Sequence, residues 1–217
     1  MMFSVTTATT TGRVFLFRIF SRTSNPTPSI RKIQVHSRIF GPVFICNATV
    51  EYITFDLVTA TPPCASQSRS SGMLFSVTNP SSSNYPTYDC YAYTWIANKA
   101  SVTLSFFFRH DLGGWMLDEV NVYHGLTQII INGGFESGSL TAWNYSGSCG
   151  LINTGTAYHD NQYAKTGDYY YYDRCAFYGD TISQTFSTVV GDTYVISFWL
   201  TNYLCCSGMT IVNITIT

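Results

Sequence analysis

The sequence predicts an all-β protein built from tandem jelly-roll or β-sandwich units. Apolar residues alternate with polar residues in several segments, turn-forming residues separate these segments, and helical periodicity is not seen. Charged residues make up only 11% of the 217 residues, whereas aromatic residues make up 16%. This composition favours pleated, half-buried strands over long helices, and it argues against intrinsic disorder.

Similar segments recur in the two halves of the chain. Residues 104–108 (LSFFF) match residues 196–200 (ISFWL), which lie 92 positions later, and both alternate with a period of two. A recurrence of this length suits one small sandwich per unit. The sequence therefore predicts a first unit over residues 41–125 and a second over residues 129–217.

The first forty residues differ in charge from the rest of the chain. Residues 1–40 hold six of the eleven basic residues and no acidic residue, so residues 41–217 carry a formal charge of −7. An acidic body argues against a nucleic-acid partner, because such binding depends on Lys and Arg at phosphates. Residues 1–40 are expected to be a poorly ordered tail or a targeting segment, and mitochondrial import is the alternative location that they suggest.

Cysteine usage predicts an oxidising compartment. None of the seven cysteines has the spacing of a zinc site, so they fit disulfides better. The preferred bridge joins Cys149 to Cys175, whereas the neighbours Cys205 and Cys206 are expected to pair elsewhere. No apolar stretch reaches the 18 or more residues that a transmembrane segment needs. We therefore expect an extracellular or cell-surface protein.

Three sequons for N-linked glycans support the same location. They begin at Asn47, Asn144 and Asn213. Asn213 alternates with Val212 and Ile214, so a strand over this segment would turn the asparagine to solvent. The sequence thus predicts a disulfide-bonded glycoprotein.

Two motifs resemble the galactose-binding-like β-sandwich superfamily, which includes carbohydrate-binding modules. Residues 132–138 (NGGFESG), followed by Trp143, resemble the first strand and loop of such a module. Residues 115–122 (WMLDEVNV) resemble its last strand. Because each half of the chain has only one of these motifs, a single permuted sandwich is the alternative to two tandem sandwiches.

The resemblance also implies a structural calcium ion. Related modules hold such an ion with the glutamate of the first motif and the acidic residues of the last strand, which here are Glu136, Asp118 and Glu119. Carboxylate oxygens are suitable ligands for this hard cation. The alternative is that these side chains only form local hydrogen bonds.

A run of four tyrosines is the strongest candidate for a sugar-binding surface. Sandwich proteins of this kind bind sugars with aromatic rings and nearby hydrogen-bonding side chains. The candidate residues are Tyr169, Tyr170, Tyr171, Tyr172, Asp173, Arg174 and Trp143. On a strand, successive tyrosines point to opposite faces, so two of the four are expected in the core.

These features predict a non-catalytic extracellular module that binds glycans or glycoproteins. The four histidines are dispersed, and no motif of a hydrolase nucleophile or a phosphate-binding loop occurs. The alternatives are a structural matrix or adhesion glycoprotein without a small ligand, and a glycoside-active enzyme with two facing carboxylates. Exposure of the tyrosine run would favour the binding module, and burial would favour the structural protein.

Overall fold

The structure, a computed structural model, describes residues 5–10, 13–17, 59–149, 154–206 and 208–217. The chain forms two compact units, Met1–Phe55 and Asp56–Thr217. In the first unit, strands β1 (Val5–Thr10) and β2 (Arg13–Phe17) pair antiparallel. The tail predicted over residues 1–40 therefore contains a hairpin, and its other residues lie outside the described ranges.

The second unit is a sandwich of two β-sheets, which confirms the predicted fold class. Its strands are β3 (Gln67–Arg69), β4 (Met73–Thr78), β5 (Asp89–Ile96), β6 (Ser101–His110), β7 (Gly114–His124), β8 (Thr127–Gln128), β9 (Asn144–Gly147), β10 (Thr156–His159), β11 (Tyr169–Asp173), β12 (Asp180–Ser187), β13 (Thr193–Tyr203) and β14 (Thr210–Ile216).

The order of these strands defines a larger and a smaller sheet. The larger sheet runs β10-β11-β7-β13-β5-β3, and β8 pairs with β7. The smaller sheet runs β4-β14-β6-β12-β9. Only β3 and β5 pair parallel among the described strands; their neighbours pair antiparallel. On one side of the sandwich, β3 and β4 are the edge strands of the two sheets.

The alternating sequence pattern places one apolar face of each sheet in a common core. In β6, every second side chain from Val102 to His110 is buried, and the others remain half-buried or exposed. Phe106 and Phe198 pack edge to face between the sheets with their ring centroids 5.5 Å apart. Burying a side chain of this size contributes about 1.5–3 kcal/mol, so the core strands are held by their inward faces.

The tandem arrangement of two sandwiches is not what the structure shows. Strand β13 lies between β5 and β7, and β6 lies between β12 and β14, so both halves of the chain contribute to both sheets. The two matching segments of the sequence are central strands of opposite sheets, and Phe106 and Phe198 occupy equivalent positions in them. They look alike because each must bury one face in the same core. A single sandwich, the alternative weighed above, describes residues 59–217.

Three disulfides occur in the described residues. Cys149 bonds to Cys175, as the sequence predicted, and Cys64 bonds to Cys90. Cys205 and Cys206 bond to each other, so the expectation that each pairs elsewhere is wrong. The turn that contains them is unusual, because Leu204 and Cys206 both adopt positive φ values. Such bonds are typical of an oxidising compartment.

The described residues include no helix of the length and hydrophobicity that crossing a bilayer requires.

Candidate functional site

The tyrosine run forms β11, and its side chains alternate between the two faces of the larger sheet as predicted. Tyr169 and Tyr171 face the core between the sheets. Tyr170 and Tyr172 lie on the opposite face, where Tyr158 of β10 packs against both rings at centroid distances of 5.8 and 5.6 Å. The run therefore does not form one platform, because adjacent residues of a strand point in opposite directions.

The outward tyrosines belong to a larger cluster that we call the outer tyrosine face. Its members are Tyr85, Tyr88, Met116, Tyr158, Tyr163, Tyr170, Tyr172, Trp199 and Tyr203. Tyr170 is only 1% exposed, while Tyr158 is 44% exposed. Burial also raises the pKa of Tyr85 to about 12, with a further contribution from neighbouring Tyr163. Most of these rings thus contact one another rather than solvent.

Two cations lie against the outer tyrosine face. Lys165 Nζ is 4.1 Å from the Trp199 ring centroid, and the Arg174 guanidinium carbon is 6.0 Å from the Tyr172 centroid. Cation–π contacts of this kind contribute about 0.5–1 kcal/mol at exposed sites. The two half-buried rings are therefore already in contact with side chains of this protein.

Trp143 and Asp173 are buried, which argues against their predicted contact with a ligand. Trp143 donates its indole N–H to the Asn132 carbonyl oxygen at 3.0 Å, and its ring packs against Phe106 and Phe135. Asp173 is fully buried at the end of β11. An inward position on β11 explains this burial, because Asp173 follows Tyr169 and Tyr171 at a spacing of two.

Asp173 forms a buried carboxyl pair with Asp180. Asp180 lies beside Asp173 and accepts hydrogen bonds from the Tyr171 hydroxyl at 3.3 Å and the Gly155 amide at 3.0 Å. Burial and the neighbouring Asp180 hold the pKa of Asp173 well above its usual range. Both a buried position and a second carboxylate favour the protonated form of Asp173.

The three predicted calcium ligands lie around one loop, although they are distant in sequence. Asp118 Oδ2 accepts the backbone N–H groups of Lys165 and Thr166 at 2.9 and 3.2 Å, and the Thr166 hydroxyl donates to Glu119. Glu136 accepts the N–H groups of residues 168 and 169 at 3.1 Å each. All three carboxylates therefore hold the loop over residues 165–169.

This donor set does not fit a calcium ion. The carboxylates face N–H and O–H groups, whereas Ca²⁺ needs carbonyl, carboxylate or water oxygens around it. Burial raises the pKa of Asp118 to about 7, although backbone N–H donors oppose the rise. Among the described residues, the one group of potential metal ligands within 4.8 Å is Cys149, Cys175 and Asp180, and both of its cysteines are in a disulfide.

Two of the three sequons lie in the described residues. Asn144 is exposed at the start of β9. Asn213 lies on the outer face of β14 as predicted, and its Oδ1 accepts a hydrogen bond from the Ser76 hydroxyl at 2.7 Å. Asn47 lies outside the described residues. The glycans themselves stay a prediction.

A groove opens on the side of the sandwich where β3 and β4 are the edge strands. This edge groove has a volume of about 450 Å³ and is lined by Gln67, Arg69, Ser71, Met73, Leu74, Phe75, Ser76, Tyr91 and Tyr93. The turn between β3 and β4 needs Gly72, because a Cβ atom there would lie 2.6 Å from the Ile216 carbonyl oxygen. The tight turn brings the edges of the two sheets together along the groove.

Aromatic rings form the apolar surface of the edge groove. The Phe75 and Tyr91 centroids are 4.5 Å apart, and Tyr91 stacks on Phe198 of the core at 5.4 Å. Both Phe75 and Tyr91 are half-buried, so these rings are supported from behind and still reach the groove. Tyr93 is buried beneath the Arg69 guanidinium, whose carbon lies 5.4 Å from its ring centroid.

A smaller pocket, which we call the inner pocket, adjoins the edge groove. The two share Phe75 and Tyr91, and the inner pocket has a volume of about 90 Å³. Its polar lining includes Asp89 and Asn202. Asn202 Oδ1 is buried and has no hydrogen-bond partner in the described protein, although buried polar atoms are normally paired. The Thr201 side chain points to the opposite face of the sheet, since Thr201 pairs with Met116 of the outer tyrosine face.

The loop beside the inner pocket is fixed by contacts with β13. Ser83 donates its hydroxyl to the Asn202 carbonyl oxygen at 2.6 Å, and the Tyr85 amide donates to Ser83 Oγ at 3.1 Å. Cys205 Sγ lies 3.7 Å from the carbonyl oxygen of Pro80, another residue of the pocket lining. The Cys205–Cys206 disulfide thus borders the pocket.

Sequence reasoning did not identify the edge groove or the inner pocket. Their residues lie in segments 67–77, 80–93 and 200–202 and at Trp115, and strand pairing alone brings these together. One signal was present in the sequence: Arg69 is the only basic residue between positions 39 and 98 of an acidic chain. A solitary arginine of this kind is a reason to consider an anionic ligand.

Comparisons with known proteins identify no family for this chain. No protein-family model, no curated protein and no solved structure matches it. The similarity to the galactose-binding-like superfamily therefore rests on the two short motifs, and function must be argued from the described side chains.

Proposed function

We propose that the protein binds carbohydrate reversibly in the edge groove, without cleaving it, outside the cell or at the cell surface. The observation that carries this proposal is the combination of half-buried aromatic rings with polar side chains in one open concave site. Binding sites for small ligands usually combine apolar walls with a few hydrogen-bonding groups, and the groove volume lies within their usual range. Glycans or glycoproteins are the partners that we propose.

The two types of side chain have complementary roles in this proposal. The faces of Phe75 and Tyr91 offer apolar contact to the C–H groups of a sugar ring. Gln67, Arg69 and Ser71 offer hydrogen bonds to its hydroxyl groups along the edge. Asp89 is the one carboxylate in the described lining of groove and pocket, so the lining does not supply the facing pair that glycoside hydrolysis uses.

The alternative function, a structural protein without a small ligand, gains support from the outer tyrosine face. Its rings are packed together, and Tyr170 is almost inaccessible. The proposal therefore places sugar contact in the edge groove and assigns the outer tyrosine face to stability. An extracellular setting is supported by the three disulfides and by the two described sequons.

Glycan-array binding of the full chain, produced in a secretory host, tests this proposal. We expect Tyr91→Leu to weaken binding at least tenfold, because it removes a ring of the groove while keeping apolar volume in the core. Tyr158→Leu is the matched control, since Tyr158 is an exposed tyrosine of the outer tyrosine face. Binding should be the same with calcium and with a chelator.

Two outcomes would contradict the proposal. A folded, disulfide-bonded sample that binds no glycan would favour the structural protein. Loss of binding in Tyr158→Leu but not in Tyr91→Leu would move the site to the outer tyrosine face. Circular dichroism and the urea midpoint of each variant establish that the comparison is made between folded proteins.

A further inference from the structure

The guanidinium group of Arg69 lies half-buried in the edge groove, and its hydrogen bonds within the described part of the chain go to neutral groups. Its Nε donates to the Leu74 carbonyl oxygen at 3.2 Å, and its Nη2 donates to Gln67 Oε1 at 2.8 Å. It also lies over the ring of Tyr93. These contacts fix the guanidinium between the edge strands of the two sheets and leave its charge uncompensated.

No carboxylate of the described residues lies within ion-pair distance of the Arg69 guanidinium. The two ion pairs found among the described residues are Arg109–Asp111 and His124–Asp192. Residues 41–217 nevertheless carry twelve acidic groups and only five basic ones. Removing a charge from water is costly unless an opposite charge compensates it, and arginine binds carboxylate and sulfate-like oxygens in two-point geometry.

The inner pocket, at the other end of the site, presents hydrogen-bond acceptors instead of a cation. Asn202 Oδ1 is buried without a partner in the described protein, and the residue is 4% exposed. Asp89 adds a negative charge to the same lining. Hydroxyl groups of a ligand can donate to these oxygens, whereas an anionic group would be repelled by Asp89.

The distance between the two ends sets the size of the ligand. Tyr93, which lies under Arg69, pairs with Ile196 of β13, and Asn202 follows Ile196 by six residues on the same strand. Six residues of an antiparallel strand span roughly 20 Å. A ligand that reaches both ends is therefore longer than one sugar ring and must follow the groove past Phe75 and Tyr91.

We infer that the edge groove selects short anionic oligosaccharides, with a carboxylate or sulfate group at Arg69 and neutral hydroxyl groups in the inner pocket. This inference rests on the proposed function, and it adds the charge, length and direction of the ligand. The aromatic rings hold the sugars between the two ends. The Arg69 guanidinium and the Asn202 side-chain oxygen are the groups that the bound ligand satisfies.

Calorimetric titration of the full chain with tetrasaccharides of matched length tests the charge. The probes are a tetragalacturonate, its methyl ester, and a sulfated neutral tetrasaccharide with its unsulfated form. We expect at least tenfold tighter binding of one anionic probe than of its neutral counterpart, and weaker binding at high salt. The pair that shows the difference identifies carboxylate or sulfate as the bound group.

Variants connect this preference to the residues. Arg69→Gln should remove the difference between the anionic and neutral probes, whereas Lys165→Gln, which changes an exposed cation on the outer tyrosine face, should keep it. Asn202→Ala should weaken binding several-fold, because it removes the buried oxygen that faces the inner pocket. Thr201→Val is the matched control, since that neighbouring side chain lies on the opposite face of the sheet, and it should leave the affinity unchanged. Equal losses of affinity in the two variants would overturn the role of the inner pocket.

The results separate this inference from the proposed function. Equal binding of anionic and neutral probes, or an unchanged preference in Arg69→Gln, would overturn the inference and leave carbohydrate binding in place. If no saccharide of either charge binds to the folded protein, the proposed function itself is wrong.

Discussion

The outer tyrosine face and the edge groove are both built from aromatic residues, but they differ in what their rings contact. In the outer tyrosine face, Tyr170 is buried by other aromatic residues, and Lys165 lies over Trp199. In the edge groove, half-buried Phe75 and Tyr91 line open volume. The richer cluster of tyrosines therefore stabilises the sheet, and the smaller one is better placed to bind a ligand.

The two regions also differ in where their unsatisfied polar groups lie. The groove and pocket contain a guanidinium without a carboxylate partner among the described residues and one buried oxygen, Asn202 Oδ1, without a donor. In the outer tyrosine face the Tyr88 hydroxyl is also buried without a partner, but it lines neither the edge groove nor the inner pocket. Near that face, the carboxylates of Asp118, Glu119 and Glu136 accept hydrogen bonds from the loop over residues 165–169. Unmet hydrogen-bonding capacity beside open volume is thus a stronger indication of a binding site than the number of aromatic residues.

Removing a buried ring from the outer tyrosine face should have the largest effect on stability. We expect Tyr170→Ala to lower the free energy of unfolding by about 3–5 kcal/mol, because it leaves a cavity among packed rings. Saccharide affinity of the folded fraction should not change. Urea unfolding followed by fluorescence, together with titration, measures both quantities.

The exposed neighbour Tyr158 supplies the control for this variant. Tyr158→Ala should change the free energy of unfolding by no more than about 0.5 kcal/mol, since that side chain is 44% exposed. A loss below about 1 kcal/mol in Tyr170→Ala, or a loss of saccharide binding there, would show that the comparison between the two regions is wrong.

Local sequence patterns predicted the strands and the direction of the tyrosines but not the strand order. Alternation in residues 102–108 and 194–200 is a local property, and the structure confirms both strands. Whether two similar segments form two sandwiches or opposite sheets of one depends on long-range pairing. The alternating pattern therefore could not predict that Phe106 contacts Phe198, although the two phenylalanines occupy matching positions in the segments that recur 92 residues apart.

The candidate site was harder to predict than the fold for the same reason. Arg69, Tyr91 and Asn202 belong to no common motif, and they lie together because β3, β5 and β13 are neighbours. The Cys205–Cys206 bond lies in a turn with positive φ values at Leu204 and Cys206, which the residue types do not indicate. Only Cys149–Cys175 was predicted from its position.

Two disulfides allow a matched comparison of the two regions. Cys64 precedes β3, and its partner Cys90 lies in β5 beside the edge groove. The Cys149–Cys175 disulfide lies beside the buried Asp180. Both close a separation of 26 residues, so loop-closure entropy predicts an equal loss of about 3.5 kcal/mol when either is replaced by serines.

Only one of these two replacements should affect the ligand. Cys64→Ser/Cys90→Ser should weaken saccharide binding, because Cys90 precedes Tyr91 in β5, and Cys149→Ser/Cys175→Ser should leave it unchanged in the folded fraction. Unfolding in urea and titration at a temperature where both variants are folded provide the test. Equal losses of saccharide affinity in the two variants would mean that the Cys64–Cys90 bond has no special role in holding the edge groove in place.

The smallest expected effect is a pH dependence of the free energy of unfolding, which arises from buried carboxyl groups. Asp173 has a raised pKa in the folded protein, so its contribution to stability is complete below the pKa of the unfolded chain, about 4, and is lost as pH rises toward the raised value. Asp118, whose pKa is raised to about 7, acts in the same direction.

Asp173→Asn should therefore gain stability relative to the native protein as pH increases from 4 to 8, because an amide at this buried position does not titrate. The groups that face this pair are Tyr145, Tyr171 and the Cys149–Cys175 disulfide. Urea unfolding at several pH values measures the difference, and parallel curves for the native protein and Asp173→Asn would show that the pKa of Asp173 is not raised in the folded protein.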